Sequence, residues 1–242
     1  MRLLRLAFKR ETAMPMLALT FASAASAALV VARIIATGNF RYSFLVWNLF
    51  LAWLPLVFAL LASEKFQTAS ARNWRFLSLA GAWLLFFPNA PYIFTDLIHL
   101  TTRFYGHFWV DLTLILLCAL TGLVLGFVSL YLMQSVVERM LGRAASWLFI
   151  AAVAALSGFG IYVGRFMRFN SWDVLFKPWQ VYHGIGNWVA DPFANSNSLA
   201  FPLLFGTFLF ITYLMLYALT HLQPTQLMIL PPRSQEPGLA GS

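Results

Sequence analysis

The sequence predicts an all-α polytopic membrane protein, a transmembrane helical bundle of about six spans. Two observations carry that expectation. Of the 242 residues, 61% are hydrophobic and only 10% are charged, against roughly 45–50% and 25% in soluble domains. The apolar residues also fall into six runs, each near the roughly 20 residues that cross a bilayer's hydrocarbon. A soluble core cannot absorb that excess, so residues 14–221 read as a single membrane domain. A basic head, residues 1–13, precedes it, and a Pro-, Ser- and Gly-containing tail, residues 222–242, reads as disordered on the cytoplasmic side.

The first run, residues 14–36, follows Arg2, Arg5, Lys9 and Arg10. That head resembles a signal-peptide n-region, and the small residues from Ala22 to Ala27 offer a cleavage pattern. The apolar run nevertheless continues through Val30, Val31, Ile34 and Ile35, which favours an uncleaved signal anchor. Further spans are expected at 43–63, 76–94, 108–133, 146–163 and 199–220. The third carries Pro88 and Pro91, which remove backbone donors and disfavour helix at the residues before them, so a kink is expected there. Asn89 is the natural donor to the carbonyls that the kink frees. Beyond it, Thr95, Asp96, His99, Thr102 and Arg103 recur at helical spacing opposite Ile93, Leu97, Leu100 and Phe104. That pattern predicts an amphipathic extension at the outer face.

Orientation follows from the basic residues, because positive charge is retained on the cytoplasmic side. With the N-terminus inside, ten Lys and Arg fall inside, among them Lys65, Arg72, Arg75, Arg139, Arg143 and Arg233. Six fall outside: Arg33, Arg41, Arg103, Arg165, Arg168 and Lys177. Both termini are therefore expected in the cytoplasm. The same arrangement puts Glu11, Glu64, Glu138 and Glu236 inside, and Asp96, Asp111, Asp173 and Asp191 outside. The net charge of +8 is scattered between apolar runs rather than gathered in a stripe, which argues against nucleic acid as a partner. Cys118 is the only cysteine; it excludes an intrachain disulfide and any cysteine-based metal cluster.

The residues able to do chemistry collect in two longer connections, 95–107 and 164–198. Asp96 with His99, three apart, and His107 with Asp111, four apart, have the spacing for a shared proton or a weak metal site. Ordinary hydrogen bonding explains the same spacing, and no H-E-x-x-H pattern is present. Asp96, His99 and Asp111 are the candidate acid/base residues. Arg165 and Arg168 follow Gly158, Gly160 and Gly164 and would project from similar sides of a helix end, where two guanidiniums could grip a phosphate or carboxylate. Snorkelling to lipid phosphates, or pairing with Asp96, Asp111 or Asp173, is the structural alternative. Gly160 and Gly164 give a small-xxx-small packing face. Asn48, an amide one turn into the second span, needs a partner wherever it faces hydrocarbon. With Asn89, Asn170 and Asp173 it completes the candidate ligand-binding set. Trp47, Trp53, Trp109, Trp172, Trp179 and Trp188 read as an aromatic belt.

Three strings then stand out: Trp47 to Ala52; Phe87 to Tyr92 with Thr95, Asp96, His99 and Leu100; and Gly164 and Arg165 with Arg168 and Asn170 to Asp173. Together they closely resemble the DUF1361 family of bacterial multispanning membrane proteins, over most of the chain from the second span through the sixth. The resemblance implies a multi-pass protein of the bacterial inner (plasma) membrane. The family has no assigned function, so no catalytic residue and no cofactor carries over.

Three function classes fit these residues. The first is a binding or assembly protein that holds an anionic lipid-type headgroup, a lipid-linked ligand or a membrane protein partner. The second is a membrane enzyme acting on a lipid or lipid-linked substrate at the outer face through Asp96 or His99. The third is a small-solute transporter, disfavoured by the absence of an internal repeat and of an ionisable residue at mid-bilayer.

Overall fold

The computed structural model describes residues 13–68, 74–100, 107–191 and 197–220. Among these residues all regular structure is helical. In chain order the elements are α1 (Ala13–Thr37), α2 (Ser43–Thr68), α3 (Trp74–Phe86), the short α4 (Asn89–Tyr92) and a 3-10 helix η1 (Ile93–His99). Then come α5 (Phe108–Leu141), α6 (Arg143–Arg165), the short α7 (Asp173–Phe176), α8 (Pro178–Ala190) and α9 (Asn197–Thr220). Six stretches are long and apolar enough to cross a membrane: Ala13–Thr37, Phe44–Phe66, Trp74–His99, Phe108–Leu141, Arg143–Arg165 and Ser198–Thr220. The protein is thus an all-α polytopic membrane protein. Most of the expected head, the tail from residue 221, and Arg72, Thr102, Arg103 and Phe104 lie outside the described residues.

α5 is the axis of the bundle. It packs against α1, α2, α6 and η1, and it is the most buried of the six spans. At 34 residues it is about 51 Å long at 1.5 Å per residue, well beyond the roughly 30 Å of hydrocarbon. The sequence pattern stops at residue 133 because only the apolar part of this helix registers as a span. The polar turn through Glu138 and Arg139 continues as helix to Leu141, where Gly142, at φ 87°, reverses the chain into α6. A left-handed backbone of that kind suits glycine, which has no Cβ to collide with the preceding turn.

Three hydrogen bonds between polar side chains join helices across the bundle. Trp83 Nε1 donates to Ser129 Oγ at 3.2 Å, Trp53 Nε1 to Ser23 Oγ at 3.1 Å, and the Tyr213 hydroxyl to Gln134 Oε1. In hydrocarbon no water can replace these partners, so each bond fixes the rotation of one helix against another. α6 and α9 meet at their closest through Gly158 and Gly206, where a Cβ on Gly158 would collide with the Pro202 carbonyl. Gly160 and Gly164 form the small-residue packing face that their spacing predicts, and the neighbour they admit is the broken third span, through the rings of Pro88 and Tyr92.

Candidate functional site

The break in the third span organises the site. α3 ends at Phe86, and the N–H of Ala90 turns back to the Phe87 carbonyl at 3.1 Å. That tightening leaves the Phe86 carbonyl without its i+4 donor, and Asn89 Nδ2 supplies one at 3.0 Å. The same amide donates to Ser171 Oγ at 3.0 Å, tying the break to the connection that follows α6. The chain then resumes as the 3-10 helix η1, which carries Thr95, Asp96 and His99.

α6 can reach this segment because Gly160 and Gly164 have no side chains. A Cβ on Gly160 would lie 2.8 Å from Pro88 Cγ, and one on Gly164 3.3 Å from Tyr92 Cε2. Arg165, on the last turn, is thereby delivered to Asp96, with Nη1 at 3.2 Å from Oδ1. Its guanidinium also donates to the Tyr92 hydroxyl at 3.3 Å and to the Thr95 carbonyl, and lies over the Tyr92 ring. Asp96 is 1% exposed. Its second oxygen accepts from Asn48 Nδ2 at 2.9 Å. A carboxylate so buried is sustained only by a paired cation and further hydrogen bonds, and both are present. His99 stands at the edge, Nε2 3.9 Å from Asp96 Oδ1, with its ring edge-on to Phe44.

These groups line a half-open cavity of about 330 Å³. Asn48, Asn89, Asp96, His99, Arg165 and Asn170 contribute its polar surface. Aromatic and aliphatic walls come from α2 with Phe44 and Trp47, from α6 with Phe159, and from α8 with Val181 and Ile185. Sequence reasoning missed the α8 contribution by treating residues 164–198 as a connection. Pro178 at the first helical turn, followed by Val181, Ile185 and Trp188 at helical spacing, was the signal for that amphipathic helix.

Three expected participants lie elsewhere. Arg168 does not continue the face of Arg165, because α6 ends at Arg165 and Arg168 adopts φ 61° and is exposed. Arg165 lines the cavity and Arg168 is not among its lining residues. Asp173 closes its own turn: Oδ2 accepts the Asn170 backbone N–H at 2.7 Å and the Asn170 amide at 3.2 Å, and Lys177 Nζ lies 3.6 Å from Oδ1. The Asn170 N–H, with a smaller contribution from Lys177, holds this carboxyl below the ordinary carboxylate range.

Asp111 belongs to a separate hollow of about 310 Å³, also reached by Arg33, Arg41, Tyr42 and His107. Arg33 Nε lies 2.6 Å from Asp111 Oδ1 and Nη2 3.2 Å from Oδ2, while the Tyr42 hydroxyl donates to Oδ2 at 3.1 Å. Burial, and then the nearby Asp111 carboxylate, push the Tyr42 hydroxyl pKa up, so it stays a donor. The pairs Asp96–His99 and His107–Asp111 thus face different spaces. Among the described residues no three His, Cys, Asp or Glu side chains gather as a metal-ligand set.

A family described as a protein of unknown function (DUF1361) matches residues 47–212. That range holds Asn48, Asp96 and Arg165 together with every other polar group of the first cavity, and it leaves Arg33, Arg41 and Tyr42 outside. No curated protein and no solved structure matches the chain.

Proposed function

Since the chain belongs to the DUF1361 family, whose description assigns no activity, we propose a function from geometry: the cavity around Asp96 binds the polar end of an amphiphilic, lipid-type molecule. One observation carries this reading. Polar groups on Asn48, Asn89, Asp96 and Arg165 share a half-open cavity with aromatic and aliphatic walls. Its volume lies at the low end of ligand pockets, roughly 300–1,000 Å³, enough for a headgroup and its first carbons.

The charge balance refines the ligand. Asp96 neutralises Arg165, so the polar surface offers hydrogen-bond donors and acceptors with little net charge. A zwitterionic or uncharged polar headgroup suits it better than the anionic group expected from an Arg165–Arg168 clamp. With the positive-inside bias of the sequence and the family resemblance, we place this cavity on the non-cytoplasmic face of a bacterial inner membrane.

The test is retention of co-purified lipid by the full chain, measured by native mass spectrometry beside a melting curve. Ile185→Trp would fill the cavity from α8 without touching the Asp96–Arg165 pair. Loss of bound lipid at an unchanged melting temperature is the expected result. Unchanged retention would overturn the reading.

An enzymatic reading draws on a different observation, the approach of His99 Nε2 to Asp96 at the cavity edge. Acid/base chemistry on a lipid-linked substrate would then make His99→Gln turnover-deficient with lipid retention intact. Pure binding leaves no turnover to lose.

A further inference from the structure

Three asparagines, Asn48, Asn89 and Asn170, line the first cavity, and each has the NH2 end of its amide tied to a group that can only accept. Asn48 Nδ2 donates to the Asp96 carboxylate at 2.9 Å, Asn89 Nδ2 to the Phe86 carbonyl at 3.0 Å, and Asn170 Nδ2 to the Asp173 carboxylate at 3.2 Å. Those partners decide which end of each amide is nitrogen, because an amide oxygen set against a carbonyl or carboxylate has no proton to share. The oxygen is the end left over. Among the described residues no donor meets Oδ1 of Asn48, Asn89 or Asn170. Asn48 and Asn89 are half-buried, yet neither oxygen is among the polar atoms buried without a partner. Both therefore reach open space, and the space that both residues line is this cavity, where the exposed Asn170 joins them.

The strongest donor of the cavity is occupied within the protein. Arg165 is paired with Asp96 and donates to the Tyr92 hydroxyl and the Thr95 carbonyl. What remains to donate is the hydroxyl hydrogens of Tyr92 and Ser171, with the ring of His99 at the edge. The polar surface is thus weighted towards neutral acceptors, and the group that complements it brings N–H bonds. A primary ammonium has three donors and no acceptor, whereas a hydroxyl brings lone pairs that need donors in turn. Trp47 and Phe159 in the walls add aromatic surface that attracts a cation. Asp96 and Arg165 cancel, so the cation's counter-charge comes with the ligand, as the phosphate of a zwitterion supplies it.

We propose that this cavity selects the primary ammonium of a zwitterionic lipid headgroup of the phosphoethanolamine type, with Oδ1 of Asn48, Asn89 and Asn170 accepting its N–H bonds. The inference rests on the reading of the cavity as a headgroup site and adds the identity of the group it recognises.

The experiment offers the full chain, in neutral detergent, equal mixtures of lipids with identical acyl chains, and native mass spectrometry counts those retained. The lipids are phosphatidylethanolamine, its N-methyl and N,N-dimethyl forms, and phosphatidylcholine. Each methyl removes one N–H, and retention should fall along the series by about tenfold or more from first to last, the effect of losing at least one hydrogen bond to a charged group. A 3-aminopropyl headgroup, larger but with all three N–H bonds, should be kept like ethanolamine. Asn170→Ala, which leaves the Asp96–Arg165 pair in place, should shrink the preference several-fold, and Ile185→Trp should abolish it. Equal retention along the series, with Ile185→Trp releasing every lipid, would overturn this inference and leave the headgroup reading standing; no retention of any lipid would remove both. Rejection of the aminopropyl lipid would make size the criterion and overturn the ammonium. Preference for a glycosyl diacylglycerol over phosphatidylethanolamine would do the same in favour of hydroxyls. A preference that both variants keep in full would place the recognition outside this cavity and sink the proposal.

Discussion

Arg165 Nη1 and Asp96 Oδ1 stand 3.2 Å apart, joining the last turn of α6 to the 3-10 segment that follows the break in the third span. The contact closes one wall of the first cavity and makes the site depend on a single ion pair. Removing one partner of a buried pair strands the other charge, at a cost of about 3 to 5 kcal/mol. Asp96→Asn alone should therefore lower the melting temperature sharply. The double variant Asp96→Asn/Arg165→Gln should lose less than the sum of the two single changes. Additive losses in a thermal double-mutant cycle would show that the two charges are not coupled.

Arg165→Lys isolates geometry from charge. Lys keeps the positive head but cannot reach Asp96, the Tyr92 hydroxyl and the Thr95 carbonyl together, since its donors spread from one point. The expected outcome is a melting temperature below wild type with insertion into the membrane unchanged. Equal stability would mean that charge alone holds α6 against η1.

Arg168 has a backbone demand rather than a charge demand. Its φ of 61° is tolerated by glycine and penalised by β-branched residues, by about 1 to 2 kcal/mol. Arg168→Gly should therefore melt close to wild type and Arg168→Val clearly lower. A reversed order would argue that the side chain fixes this turn.

The turn at Asp173 gives a pH dependence of known sign. Its folded carboxyl is held below the ordinary range by the Asn170 N–H, so its stabilising contribution is complete above the unfolded value of about pH 3.9. That contribution disappears as pH falls through the lower folded value. Fluorescence of Trp172 and Trp179 should stay constant from pH 7 to 5 and change only under acid conditions. In Asp173→Asn that acid step should be absent.

Cysteine labelling tests the orientation. Cys118 is buried, so its background reaction with an impermeant reagent is low. Asn187→Cys, exposed on α8, should react in intact cells, and Ala144→Cys, exposed after Gly142, only after lysis. The opposite pattern would place the first cavity on the cytoplasmic side.

The spans were legible because hydrocarbon imposes a length and a composition on each of them, and the break was legible because Pro88 and Pro91 cannot donate. Which polar residue meets which was much less so. Arg33 was weighed only as a charge at a span end, yet it grips Asp111 on another helix, and that choice depends on rotations between α1 and α5 that apolar periodicity does not encode. Arg165 and Arg168 were put on one face by extending helical spacing past Arg165, where the helix stops. α8 went unnoticed because its apolar face is only a few residues wide and carries no length signature of a span.

The Arg33–Asp111 contact also gives assembly a sequence in time. The two residues are 78 positions apart, so a ribosome adding about 5 to 20 residues per second leaves the first helix in the bilayer for roughly 4 to 16 seconds before its counter-charge exists. During that interval α1 can already meet α2 through the Trp53–Ser23 bond, but Arg33 has no carboxylate to hold. The emergence of α5 then supplies it, which makes the fourth span the one that completes the fixing of the first.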